Sequence, residues 1–96
     1  MTHTNLEVRH NAARSRYEVS IDGRLAGFAD YRDANGPVVF LHTEVEVAQR
    51  GQGIGGELVR GALDDVRRRG GTVVARCPFV SRFIDEHPEY DDLREA

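Results

Sequence analysis

The sequence predicts an α+β domain (α/β in its second half). The expected fold is a compact, mixed, mostly antiparallel sheet of about five strands with one long helix and a short C-terminal helix. Three observations lead there. Apolar and polar residues alternate through the first half, as in half-buried strands. A glycine-rich stretch, Arg50-Gly51-Gln52-Gly53-Ile54-Gly55-Gly56, separates the last of those strands from a helical apolar stripe. A second short apolar run follows the helix, and a strand–helix–strand unit of this length implies a parallel pair with a right-handed crossover. At 96 residues the chain accommodates one modest core, so residues 1–96 are read as a single domain.

Leu6 and Val8 alternate with polar neighbours over Asn5–His10, which predicts a first strand. Asn11-Ala12-Ala13-Arg14-Ser15 reads as a turn. Tyr17, Val19 and Ile21 alternate with Glu18, Ser20 and Asp22 in a second strand, and Asp22-Gly23 is a hairpin signal. Leu25 to Arg32 forms the third strand, with Gly27 as a bulge or close approach. Ala34-Asn35-Gly36-Pro37 is the next turn. The fourth strand, Val38–Val47, is expected to place Val39, Leu41, Thr43, Val45 and Val47 on one apolar face. Its other face, Val38, Phe40, His42, Glu44 and Glu46, turns polar toward the glycine loop.

The helix is expected from Ile54 to Arg69, with Ile54, Leu58, Val59, Ala62, Leu63 and Val66 on its buried stripe. Arg67-Arg68-Arg69 falls in the last turn, where cations offset the helix dipole. Gly70-Gly71 ends the helix. Thr72–Cys77 is the fifth strand. Pro78 to His87 suits a short helix with Phe79, Phe83 and Ile84 on one face, stopped by Pro88. Asp91–Ala96 reads as a frayed acidic tail.

A net charge of -3 argues against general nucleic-acid binding, which depends on neutralising phosphates with Lys and Arg. No apolar run approaches the ~20 residues of a membrane span, and Met1-Thr2-His3-Thr4 lacks the basic and apolar regions of a signal peptide. The lone Cys77 cannot form an internal disulfide, so a reducing cytoplasm is the expected location. No Cys/His cluster has zinc spacing, and no metal is expected. A monomer or weak homodimer is expected.

Glycines in Arg50–Gly56 cannot serve helix propensity, since each costs roughly 1 kcal/mol against alanine in a helix interior. They permit positive φ and close approach of another molecule to the backbone. A strand, a glycine turn and a helix start together make a phosphate cradle, and Arg50 adds a fork for phosphate oxygens. A Walker loop is set aside because Glu57, rather than Lys and Ser/Thr, follows Gly56. Gly51, Gly53 and Gly56 satisfy G-x-G-x-x-G, but the acidic ribose ligand expected at the end of the next strand is replaced by Arg76 and Cys77. An NADP 2′-phosphate on Arg76 remains compatible with charge, although the chain holds only one strand–helix–strand unit.

The strand order and the Arg-x-x-Gly-x-Gly pattern before a long helix resemble the GCN5-related N-acetyltransferase (GNAT) superfamily. The motifs His42-Thr43-Glu44-Val45, Cys77-Pro78-Phe79 and His87-Pro88-Glu89-Tyr90 narrow the resemblance to its minimal, single-domain group. The two helices that the superfamily usually has between its first strands are missing, and so are its last strands. The resemblance implies that the parallel fourth and fifth strands splay apart around the pantetheine arm of acetyl-CoA. It implies that backbone groups near Val45 and Val47 pair with that arm. It further implies that Arg50, Gly51, Gln52, Gly53, Ile54, Gly55 and Gly56 hold the pyrophosphate, with Pro78 and Phe79 also on the cofactor side. The thioester would then lie near His42, Glu44 and Cys77.

Acetyl transfer to an amine needs a base, a polarised carbonyl and an acid for the leaving thiolate. His42 or Glu44 can take the amine proton, directly or through water. A strand amide freed by the splay can stabilise the oxyanion. Tyr90 can protonate the departing sulfur or simply pack its ring. Cys77 can be a buried core residue or a nucleophile that carries the acetyl group; direct transfer is the expected route. Glu44 and Glu46 suggest a cationic acceptor amine, either small or a protein lysine. A non-catalytic CoA-binding or protein-interaction module is the alternative. His3, His10 and His87 are expected to be surface or structural.

Overall fold

The computed structural model describes residues 5–33 and 36–95. Met1–Thr4 with His3, the Ala34-Asn35 half of the predicted turn, and Ala96 lie outside the described residues. Five strands form one sheet in the order β1-β2-β3-β4-β5. They are β1 (Leu6–Asn11), β2 (Arg16–Ile21), β3 (Arg24–Arg32), β4 (Val38–Val45) and β5 (Val73–Ala75). The first four pair antiparallel, and β5 pairs parallel to β4. Helix α1 (Ile54–Arg68) makes the crossover, and α2 (Pro78–Glu86) follows β5.

The predicted stripe is the buried face of α1: Ile54, Leu58, Val59, Ala62, Leu63 and Val66 all join the core with Tyr17, Val19, Ala29, Tyr31 and Phe40 of the sheet. The helix packs across β1 to β4. Gly61 permits its approach to β1, because a Cβ there would stand 2.8 Å from Val8 Cβ. The helix ends in a Schellman motif. Gly70 takes φ 73°, its N–H donates to Arg67 O, and Gly71 N–H donates to Val66 O, each over 3.0 Å. The Asp22-Gly23 hairpin has positive φ at both residues (51° and 85°), the geometry of a type I′ turn.

Strict alternation fails within β4. Asp30 pairs with His42 but Tyr31 pairs with Phe40, so Leu41 is an extra residue and the strand bulges. The bulge resets the faces. Phe40 and Val45 both pack toward the core, while Leu41, His42 and Glu44 are exposed. The strand also stops at Val45, two residues short of expectation, because Val47–Gln49 coils into a 3₁₀ turn.

The C-terminal segment is docked rather than frayed. Pro88–Leu93 forms a 3₁₀ helix that buries Tyr90 and Leu93. Arg67 grips Asp92 with two bonds of 2.9 Å and also donates to Glu89 O at 2.7 Å. Glu95 N–H then donates to Val73 O at 2.9 Å, beside a parallel bridge between Val73 and Arg94. A three-residue outer strand thereby gains a backbone partner on its open side. The arginine run at the end of α1 makes specific ion pairs: Arg67 with Asp92, and Arg68 and Arg69 with Asp65.

Both helices contribute to one core on one face of the sheet. The other face carries Arg9, Arg16, Glu18, Phe28, Asp30, His42 and Glu44, none of them buried.

Candidate active site

β4 and β5 pair only from Val38 to Phe40. There the strands part, because Arg76 N–H and Cys77 N–H both donate to Phe40 O at 3.0 Å and the chain turns into α2. From Leu41 to Val45 the β4 edge has no strand beside it. Peptide groups alternate sides along a strand. Glu46 N–H donates to Ala26 O across in β3, so the peptide groups of Val45 and Thr43 face the opening.

The opening is a cleft of about 530 Å³, bounded by His42–Val45, the glycine loop and Phe79. Gly51 and Gly53 hold φ of 83° and 77°, and a Cβ on either would meet no atom within 4 Å. The loop therefore turns in a left-handed conformation that glycine adopts without strain, and its surface stays open to a ligand. Gly53 is the N-cap of α1 and makes no side-chain cap bond. The first N–H groups of α1, at Ile54, Gly55 and Gly56, are thus left for a ligand. Gly55 is required by contact, since a Cβ there would stand 2.8 Å from Phe79 Cζ.

Arg50 Nε donates to Val45 O at 3.2 Å, tying the loop to the strand end. That bond leaves the two terminal nitrogens of its guanidinium for anionic oxygens. Helix-start amides without a side-chain cap, a fork cation and a strand edge with no neighbouring strand thus line one cleft. Glu57, whose charge would oppose phosphate, faces a separate pocket with Arg60 and Arg82.

His42 and Glu44 come together on the exposed face. His42 Nε2 and Glu44 Oε1 are 3.2 Å apart, with side chains 58% and 54% exposed. Both border the cleft. Phe28 lies next to them, its ring centroid 6.2 Å from that of His42. Cys77 is buried under the β4 edge, 3.4 Å from Thr43 Oγ1, and does not line the cleft. Tyr90 is also elsewhere. Its ring packs beside Phe83, and its hydroxyl donates to Asp64 at 2.7 Å and accepts from Arg60 at 3.3 Å. Burial first, and then the Asp64 bond, push the Tyr90 phenol above its ordinary range, so it holds its proton more tightly.

Of the expected cofactor residues, Val45, Arg50, Gly51, Gly53, Ile54, Gly55, Gly56 and Phe79 line the cleft. Val47, Gln52 and Pro78 do not, and Val47 is 75% exposed in the 3₁₀ turn. Sequence reading missed Thr43 and Gln49, which also line the cleft. Gln49 is adjacent to the arginine motif and could have been found by extending it one residue. Thr43 stood inside the His42–Val45 motif, but the bulge that brings it to the Cys77 side leaves no mark in the alternation. His10 and His87 are structural. His10 stacks on Tyr17 at 4.5 Å, and His87 stacks on Phe83 at 3.9 Å and bonds Phe83 O through Nδ1.

A sheet opened between parallel β4 and β5, with a glycine loop leading into a helix beneath the gap, defines a GNAT-type acetyltransferase. The sequence model described as GCN5-related N-acetyl-transferase matches residues 16–93, so the chain belongs to that family. Among solved structures, a protein from Staphylococcus aureus described as GCN5-like matches with a TM-score of 0.71 at 21% identity, covering 96% of this chain and 90% of that one. A GNAT-family protein from Desulfovibrio desulfuricans matches with a TM-score of 0.56 at 20% identity, covering 77% of this chain and 52% of the other. A ribosomal-protein-alanine N-acetyltransferase from Brucella melitensis biovar Abortus matches with a TM-score of 0.55 at 24% identity, covering 84% and 63%. These likenesses establish the fold. No curated protein matches significantly. Among the described residues, no helix is long and apolar enough to cross a membrane.

Proposed function

We propose that the chain binds acetyl-CoA in the cleft and acetylates a primary amine by direct transfer. The observation that carries this reading is the β4 edge left without a strand beyond Phe40, facing a helix start whose first amides are uncapped. Peptide groups at Thr43 and Val45 would bond the amide-bearing arm of coenzyme A. Arg50 and the amides of Gly51–Gly56 would hold its pyrophosphate, and Phe79 would pack against it. Bound acetyl-CoA supplies an acetyl group already activated as a thioester.

The residues of this chain have the remaining work. An amine attacks only when neutral, so the His42–Glu44 pair accepts its proton. The new bond joins amine nitrogen to carbonyl carbon as the carbon–sulfur bond breaks. The pair passes that first proton to solvent; the second, lost by the nitrogen once it has bonded to carbon, goes to the departing thiolate, so ammonium and thioester give amide, thiol and one released proton. Buried Cys77, paired with Thr43 and off the cleft wall, supports direct attack over an acetyl-cysteine relay. The bonds of Tyr90 to Asp64 and Arg60 support a packing role.

Calorimetry with acetyl-CoA followed by thiol release with an amine panel tests the reading. His42→Ala and Glu44→Gln are expected to lose roughly 10²–10⁴-fold in rate while still binding acetyl-CoA. Cys77→Ala is expected to keep turnover. An acetyl adduct on Cys77 that forms and discharges as fast as turnover would overturn direct transfer.

A further inference from the structure

A second groove, of about 280 Å³, opens between β3 and the end of β4 and shares Glu44, Val45 and Arg50 with the cleft. Leu25 and Val47 line it, and both are large hydrophobic residues held exposed, at 45% and 75%. Phe28 and Glu46 complete it. Phe28 pairs with Glu44 across the strands and lies beside His42, so the groove runs toward the His42–Glu44 pair. Its charges are unequal. Among the described residues, the side-chain hydrogen bond and ion pair of Glu44 are with His42 alone, and Glu46 has none. Arg50 stands at the cleft end with its Nε committed to Val45 O.

We propose that this groove is the acceptor subsite and selects a primary amine carried on an apolar chain. The ammonium would lie at the His42–Glu44 end, with Glu46 adding to the negative field. The chain would lie beside Phe28, whose ring already carries the Arg16 guanidinium 4.6 Å from its centroid, and reach Leu25 and Val47. Two carboxylates beside an apolar floor complement an alkylammonium, whereas an anionic or neutral polar acceptor would leave the floor wet and the carboxylates unpaired. The groove is below the usual volume of drug-sized sites, so it suits one side chain or one short alkylamine. A free alkylamine and a protein lysine next to an apolar residue share this chemistry.

The inference rests on the acetyl-transfer reading for its rate measurement and stands apart from it for binding. The full chain is assayed with ethylamine, butylamine and hexylamine, and with a short peptide carrying one lysine beside a leucine. Specificity (kcat/KM) is expected to rise about two- to fourfold per methylene, since each buried methylene contributes by transfer from water. Leu25→Ser, an exposed position outside the cofactor cleft, should flatten that rise. Acetyl-CoA affinity, read by calorimetry, should not change, because Leu25 does not line the cofactor cleft.

Amide-resonance titration with hexylamine, without cofactor, should move Leu25, Gly27 and Phe28 first. Chain-length independence in the native protein, or shifts confined to other surfaces, overturns the groove. Absent turnover with every amine sinks the transfer reading, while the titration still decides the groove. A winning peptide identifies a protein lysine, a winning hexylamine a free amine, and both outcomes uphold the subsite.

Discussion

At the scale of single residues, the glycine loop separates conformational from chemical requirements. Gly53 has φ 77° with open space where a Cβ would stand. Gly53→Ala should therefore cost only the left-handed penalty, about 1–2 kcal/mol of stability. Gly53→Glu adds a carboxylate at the place proposed for phosphate and should abolish acetyl-CoA binding beyond that loss. Urea midpoints with calorimetry distinguish the two, and equal binding by both variants would show that the phosphate lies elsewhere. Tyr90 makes a converse case. Tyr90→Phe removes its bond to Asp64 and should cost about 1 kcal/mol, with turnover retained. Loss of turnover in a stable Tyr90→Phe protein would return the tyrosine to the chemistry.

Among the elements, α1 shows two effects in competition. Alanine is better than glycine in a helix by roughly 1 kcal/mol, which favours Gly61→Ala. The same substitution drives a methyl against Val8 Cβ, near the backbone of β1, where it cannot swing aside. Overpacking of that kind costs about 1–3 kcal/mol. The expected net effect is destabilising, read as a lower urea midpoint, and the paired change Val8→Ala should restore part of it. A Gly61→Ala protein more stable than the native one would mean that α1 does not contact β1 so closely.

For the whole molecule, the end of the sheet opposite the cleft holds a polar cluster that links folding to pH. His10 joins Tyr31 through Nε2 at 2.6 Å and Arg69 through Nδ1 at 2.8 Å. Arg69 can only donate, so Nδ1 accepts, and Nε2–H donates to Tyr31. The folded protein thus favours neutral His10: burial first, and then Arg69, lower its pKa from 6.5. The unfolded chain binds the extra proton, so this contribution is intact above about pH 6.5 and is lost as pH falls below it. Asp65 works in the same direction at lower pH. Burial raises its pKa, but the bonds from Tyr17, Arg69 and Arg68 outweigh burial and hold it below 3.8. Stability measured by urea should decline as pH falls below about 6.5, and His10→Phe should remove that decline. An unchanged slope in the variant would assign it to other groups.

Local rules determined much of this protein from its sequence. The periodicity of α1 marks its buried face because a helix repeats whatever its surroundings. Asp22-Gly23 and Gly70-Gly71 mark a hairpin and a helix end because positive φ is a property of the residue itself. The Arg50–Gly56 motif and the His42–Glu44 spacing were legible for the same reason. Tertiary structure decided the bulge at Leu41, since register depends on the partner strand as well as on the bulged one. It consequently decided that Thr43 would meet Cys77 and that the cysteine would lie beneath the cleft wall. It turned an acidic tail into a docked segment because Arg67 and Val73, distant in sequence, offer the charge and the backbone acceptor. It also made the Leu25–Val47 groove, whose residues come from two strands and a turn with no local pattern in common.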